Sequence, residues 1–124
     1  MNTNKHLILC IDDDEDFLES MKLIIEGGGY DIEVANSAEA GLAKFKTRQP
    51  DLMIVDLMME EVDSGVQLVK ELRSMGSTPP IYLLSSVGDN LNTNIDYSQL
   101  GFTGVLQKPI DPAKLLSMLK AKLK

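Results

Sequence analysis

The chain has 124 residues, a formal net charge of −7, 44% hydrophobic and 25% charged residues, which suits one domain with a sizeable core and leaves no room for a second of similar size. The acidic balance, with no dense Lys/Arg cluster beyond the spaced lysines of the C-terminal "LKAKLK", disfavours direct contact with nucleic acid, and no apolar stretch nears the roughly 20 residues of a membrane span. "MNTNKH" has no signal-peptide profile and Cys10 is the single cysteine, so a cytoplasmic protein with no internal disulfide and a buried, inert thiol is expected.

In chain order, "LILCI" at 7–11 reads as a first strand. Phe17, Leu18, Met21, Ile24 and Ile25 then fall on one side of a helix over 16–26, with Asp13 or Asp14 as its cap and "GGG" at 27–29 as its stop. "DIEVA" at 31–35 alternates like an outer strand. Ser37 can cap a second helix bearing Ala38, Leu42 and Phe45, and Pro50 resets the chain before the strand "LMIVD" at 52–56. Val66, Val69, Leu72 and Met75 mark a third helix, "GSTPP" ends it, and "IYLLS" at 81–85 follows as a fourth strand. Residues 86–101 carry three Asn and weak apolar periodicity, which predicts a short, irregular or mobile fourth helix. "GVLQ" at 104–107 is a fifth strand, and Asp111 and Pro112 open a last helix with Leu115, Leu116, Leu119 and Leu123.

Strands apolar on both sides need helices above and below, so this alternation predicts an α/β, doubly wound (βα)5 fold with a five-stranded parallel sheet. In such sheets the site lies beyond the carboxyl ends of the strands. Those ends carry Asp12 and Asp13, Asp56, Ser85 and Ser86, and Lys108. Three gathered carboxylates repel one another, and a hard divalent cation and an ammonium are suited to compensate them. Phosphoryl transfer needs such a set: a carboxylate nucleophile, with metal, ammonium and hydroxyl for the phosphoryl oxygens. Asp56, alone at the end of the central strand, is then the nucleophile, and Asp12 and Asp13 hold the metal.

"ILCIDDDE" at 8–15, "DLMIVDLMM" at 51–59, "YLLSS" at 82–86 and "LQKPID" at 106–111 resemble the four motifs of bacterial response-regulator receiver domains, the CheY-like family. The resemblance covers essentially the whole chain, with one receiver (core about 5–123) and no output domain expected. It implies a flavodoxin/CheY-like strand order of 2-1-3-4-5 and Mg²⁺ (or Mn²⁺) held by Asp12, Asp13, Asp56 and the backbone carbonyl of Met58, mainly through Asp13 of the acid pair. It implies phosphoacceptor Asp56, signalling hydroxyl Ser85, and Lys108 contacting the phosphoryl group before a cis bond to Pro109. The function implied is a phosphorelay switch: a histidine kinase or phosphotransfer protein donates the phosphoryl group. A downstream target protein, or an output domain missing from this chain, reads the result through the 86–107 face.

Several positions depart from the family pattern. The loop after Asp56 has Glu60 where a Pro is common, and Ser64 separates Asp63 from Gly65. Val105 replaces a swinging aromatic and cannot swing itself, so Tyr97 and Phe102 are the nearby candidates to substitute. Met58 and Val87 are apolar where polar residues often place the attacking water, which predicts slow loss of the phosphoryl group. Three other functions compete. A receiver-like interaction module that is never phosphorylated would exploit the altered loop. A haloacid-dehalogenase-type phosphatase would use Asp12 as nucleophile and Asp14 as general acid. A flavodoxin relative would need a phosphate loop where this chain has carboxylates.

Overall fold

The computed structural model describes residues 5–56, 70–74, 76, 79–85 and 102–123. The elements follow as β1 (Leu7–Ile11), α1 (Glu15–Gly27), β2 (Asp31–Ala35), α2 (Ala38–Thr47), β3 (Leu52–Asp56), β4 (Ile81–Ser85), β5 (Gly104–Gln107) and α3 (Pro112–Lys122). Helical residues 70–74 belong to the expected third helix, with Leu72 buried. Val66, Val69 and Met75, the expected fourth helix at 86–101, and the altered loop Glu60–Gly65 lie outside the described residues.

All five strands run parallel in one sheet of order β2-β1-β3-β4-β5. Every residue of β1, β3 and β4 is buried, whereas β2 and β5 at the edges are partly open. Successive side chains point to opposite faces of a strand, and the core divides accordingly. Leu9, Ile11, Met53, Val55, Ile81 and Leu83 meet Phe45 of α2 and Leu72 on one face. Ile8, Cys10, Leu52, Ile54, Tyr82 and Leu84 meet Leu18, Met21 and Ile25 of α1 and Leu115 and Leu119 of α3 on the other. Each such side chain, removed from water, contributes roughly 1.5–3 kcal/mol to folding before chain entropy is counted.

Helix starts follow from local chemistry. Asp14 Oδ1 accepts the N–H groups of Asp16 (3.0 Å) and Phe17 (3.2 Å), Ser37 Oγ that of Ala40 (3.0 Å), and Asp111 Oδ1 that of Ala113 (3.0 Å) with Pro112 in the first turn. Gly29, at φ 92°, takes the left-handed conformation that ends the α1 region. Gly41 of α2 lies directly against Ile11, where a Cβ would stand 2.3 Å from Ile11 Cδ1. The missing side chain lets α2 settle on the last residue of β1, next to Asp12.

At the amino edge of the sheet Asp51 closes the β1–β3 ladder. Its N–H donates to Leu7 O and its Oδ2 accepts from Leu7 N, both at 2.7 Å. The His6 imidazole stands 3.7 Å from the same oxygen in half-exposed surroundings.

Candidate functional site

The register of the parallel strands sets the site. Ile11 pairs with Val55, so Asp12 stands level with Asp56; Asp56 pairs with Leu84, so Ser85 is one step beyond; Ser85 pairs with Gln107, so Lys108 is a further step out. Alternation from Cys10 and Ile54 turns Asp12 and Asp56 toward the face covered by α1 and α3. Asp12 N–H donates to Ala35 O (3.0 Å) and Lys108 N–H to Ser85 O (2.7 Å), which fixes both backbones at the carboxyl edge.

Among the described residues the buried polar side chains are Asp12 (0% exposed), Asp56 (6%) and Ser85 (1%), all at this edge. Carboxylate oxygens of Asp12, Asp13 and Asp56 lie within 4.8 Å of one another, with Asp13 on the solvent side. Lys108 reaches back across the strand ends to bring Nζ within 2.6 Å of Asp12 Oδ2. That oxygen is wholly buried, and the ammonium is its charge partner. Asp12 Oδ1 accepts the N–H of Asp14 at 2.9 Å. Burial alone would pull the Lys108 pKa down; contact with Asp12 and the fields of Asp12, Asp56 and Asp14 outweigh it and hold the pKa above the ordinary lysine value. The ammonium also sits 4.3 Å from the centroid of the Phe17 ring.

A hard divalent cation takes oxygen ligands and tolerates a mixed set of carboxylates and water. Three convergent carboxylates, two of them buried, fit such an ion. Asp14 does not join them: its carboxylate caps α1, which removes the general acid that the phosphatase reading needs. Glu15 accepts a hydrogen bond from Asn36 Nδ2 (3.0 Å) and ties α1 to the β2–α2 turn. Met58, with its carbonyl, and Ser86 lie outside the described residues. The Lys108–Pro109 bond is cis.

Residues 8–120 match the family model described as "Response regulator receiver domain". The chain belongs to that family. It is 30% identical over 117 residues to the alkaline phosphatase synthesis transcriptional regulatory protein PhoP of Bacillus subtilis, covering 94% of this chain and 48% of that protein. Among solved structures, a CheY-like response regulator receiver domain protein from Methanospirillum hungatei superposes with a TM-score of 0.85 at 29% identity, covering 97% of this chain and 94% of the other. A two-component response regulator from Clostridium difficile gives a TM-score of 0.85 at 28% identity, covering 96% of each chain. The receiver spans about half the length of the curated relatives it matches. Its fold is that of the family, and its cluster of Asp12, Asp13 and Asp56 is of the kind typical of the phosphoacceptor and metal site of receiver domains.

Of the expected output face, residues 86–101 and with them Tyr97 and Val87 lie outside the described residues. Val105 is 42% exposed on β5, whereas Phe102 is 3% exposed and belongs to the α2-side core. Phe102 thus takes an inward position in this structure. No helix among the described residues is long and apolar enough to cross a membrane.

Proposed function

We propose that this receiver is a phosphorylation-dependent switch of a two-component phosphorelay, working in the cytoplasm, that takes a phosphoryl group on Asp56 from a histidine kinase or phosphotransfer protein. The observation that carries this reading is the nearly buried Asp56 carboxylate within 4.8 Å of two others at the carboxyl edge. In the step, an Asp56 oxygen forms the bond to phosphorus, the phosphorus–nitrogen bond of the donor phosphohistidine breaks, and its electron pair leaves with the imidazole. Asp12, Asp13 and Asp56, with the Met58 carbonyl, would hold Mg²⁺ or Mn²⁺, which supplies positive charge for the phosphoryl oxygens when bound. Lys108, held against Asp12, carries its charge toward the same oxygens, and the Ser85 hydroxyl donates to the product and reports its presence. The acyl phosphate shifts the domain between two conformations until hydrolysis resets it. The receiver thus catalyses only its own phosphotransfer and dephosphorylation and is no turnover enzyme. A downstream protein or an output domain reads the 86–107 face.

Incubation with acetyl phosphate and Mg²⁺ followed by intact-mass measurement tests the reading. Wild type should gain one phosphoryl group and Asp56→Asn none. Absence of any gain in wild type, including with candidate kinases, favours the unphosphorylated interaction module instead. Met58→Asn should shorten the lifetime of the acyl phosphate, and an unchanged lifetime would refute the slow-hydrolysis expectation.

A further inference from the structure

Lys108 is held at both ends. Its backbone N–H donates to Ser85 O at 2.7 Å, and its ammonium stands 2.6 Å from Asp12 Oδ2 and 4.3 Å from the centroid of the Phe17 ring. The Phe17 backbone is anchored by its N–H, which donates to the α1 cap Asp14, and its partly buried side chain packs against the core under α1 and α3. The Lys108 side chain is only 18% exposed, and a cation over an aromatic face gains more as water is withdrawn from it.

We propose that Phe17 is a positioning residue for phosphoryl transfer: its ring holds the Lys108 ammonium at the mouth of the site while that ammonium exchanges the Asp12 carboxylate for the oxygens of a phosphoryl group on Asp56. Asp12 attracts the ammonium strongly and would keep it where it rests. An aromatic face attracts a cation without accepting directed hydrogen bonds, so it limits where the ammonium travels and leaves all three N–H groups for the incoming anion. A leucine at this place would fill apolar space without that attraction. The inference rests on the reading of Asp56 as phosphoacceptor and deepens it by one residue.

The test compares phosphorylation rates with acetyl phosphate and Mg²⁺ in wild type, Phe17→Leu and Phe17→Tyr, and repeats Phe17→Leu in a Lys108→Ala background. Phe17→Leu should slow phosphorylation by about tenfold, Phe17→Tyr should stay within about twofold of wild type because it retains the ring face, and Phe17→Leu should add nothing once Lys108 is gone. The Lys108 ε-methylene protons should show an upfield ring-current shift in NMR spectra of wild type and Phe17→Tyr, lost in Phe17→Leu. If Phe17→Leu does not fold, Phe17→Met takes its place as an apolar filler. An undiminished rate in the ringless variant, an equal loss without Lys108, or unshifted methylene protons in wild type overturns the inference alone. Failure of wild type to take any phosphoryl group overturns the phosphoacceptor reading and this role with it.

Discussion

The two ends of the same sheet treat acidic residues differently. At the amino edge Asp51 is half-exposed, closes a ladder with Leu7 and stands near a half-exposed His6. At the carboxyl edge Asp12 is wholly buried beside Asp56, and its counter-ion Lys108 is drawn from the far edge strand. Solvent makes the first carboxylate inexpensive and its role structural. Burial makes the second a source of repulsion that no fold would retain for stability alone. An acid at a strand end is thus informative about chemistry only when its burial and its neighbours are known.

Substitutions at the two edges should break this comparison in graded fashion. The largest effect is expected from Lys108→Met, which keeps the aliphatic stem but leaves Asp12 buried without its cation; it should cost about 3 kcal/mol in metal-free urea unfolding. Saturating Mg²⁺ should restore part of the loss, since a ligand of the folded state alone stabilises it by mass action. Equal unfolding of the two proteins without metal would show that the Asp12–Lys108 contact is not the edge's organising interaction. Next is Gly41→Ala, whose methyl group must displace Ile11 beside Asp12. Overpacking there should cost about 2 kcal/mol in thermal or urea unfolding, and a neutral substitution would mean that Ile11 rotates freely.

A pH titration sharpens the same contrast. The folded-state pKa of Lys108 is raised, so its contribution is complete below the unfolded lysine value of about 10.4 and is lost as pH climbs through the higher folded value. Wild type should therefore lose stability more steeply than Lys108→Met above pH of about 10.4, measured as the difference in urea midpoint. Parallel curves would contradict the shift. The smallest effect is expected at the amino edge, where Asp51→Ala removes the acceptor of Leu7 N–H and should cost about 1 kcal/mol, while Asp51→Asn, still an acceptor, should be nearly neutral. A loss there as large as that of Lys108→Met would erase the distinction between the edges.

Much of this was legible in the residues themselves. "LILCI", "LMIVD" and "IYLLS" are apolar at successive positions, and only a sheet covered on both faces buries such runs. The caps Asp14, Ser37 and Asp111 were readable because capping is local chemistry within three residues. The gathering of Asp12, Asp13 and Asp56 followed from their places at strand ends. What sequence could not supply were pairings that depend on the stagger between strands and the reach of long side chains. The Lys108 contact with Asp12, the Phe17 ring over its ammonium and the Glu15–Asn36 link are all of this kind. Which way Phe102 turns was likewise not legible, because one aromatic just before a short strand does not reveal its face, and here it lies inward.

Cys10 lies in the buried β1 strand near its carboxyl end, and its thiol pKa is pushed up, chiefly by burial and further by the nearby Asp12. Thiol reagents attack the thiolate, so the folded protein should resist them and each labelling event should require the sheet to open. The chain's single cysteine is in effect a built-in recorder of opening: its labelling rate in the native protein reports how often the sheet parts, and should slow when a cation or phosphoryl group ties the carboxyl edge together.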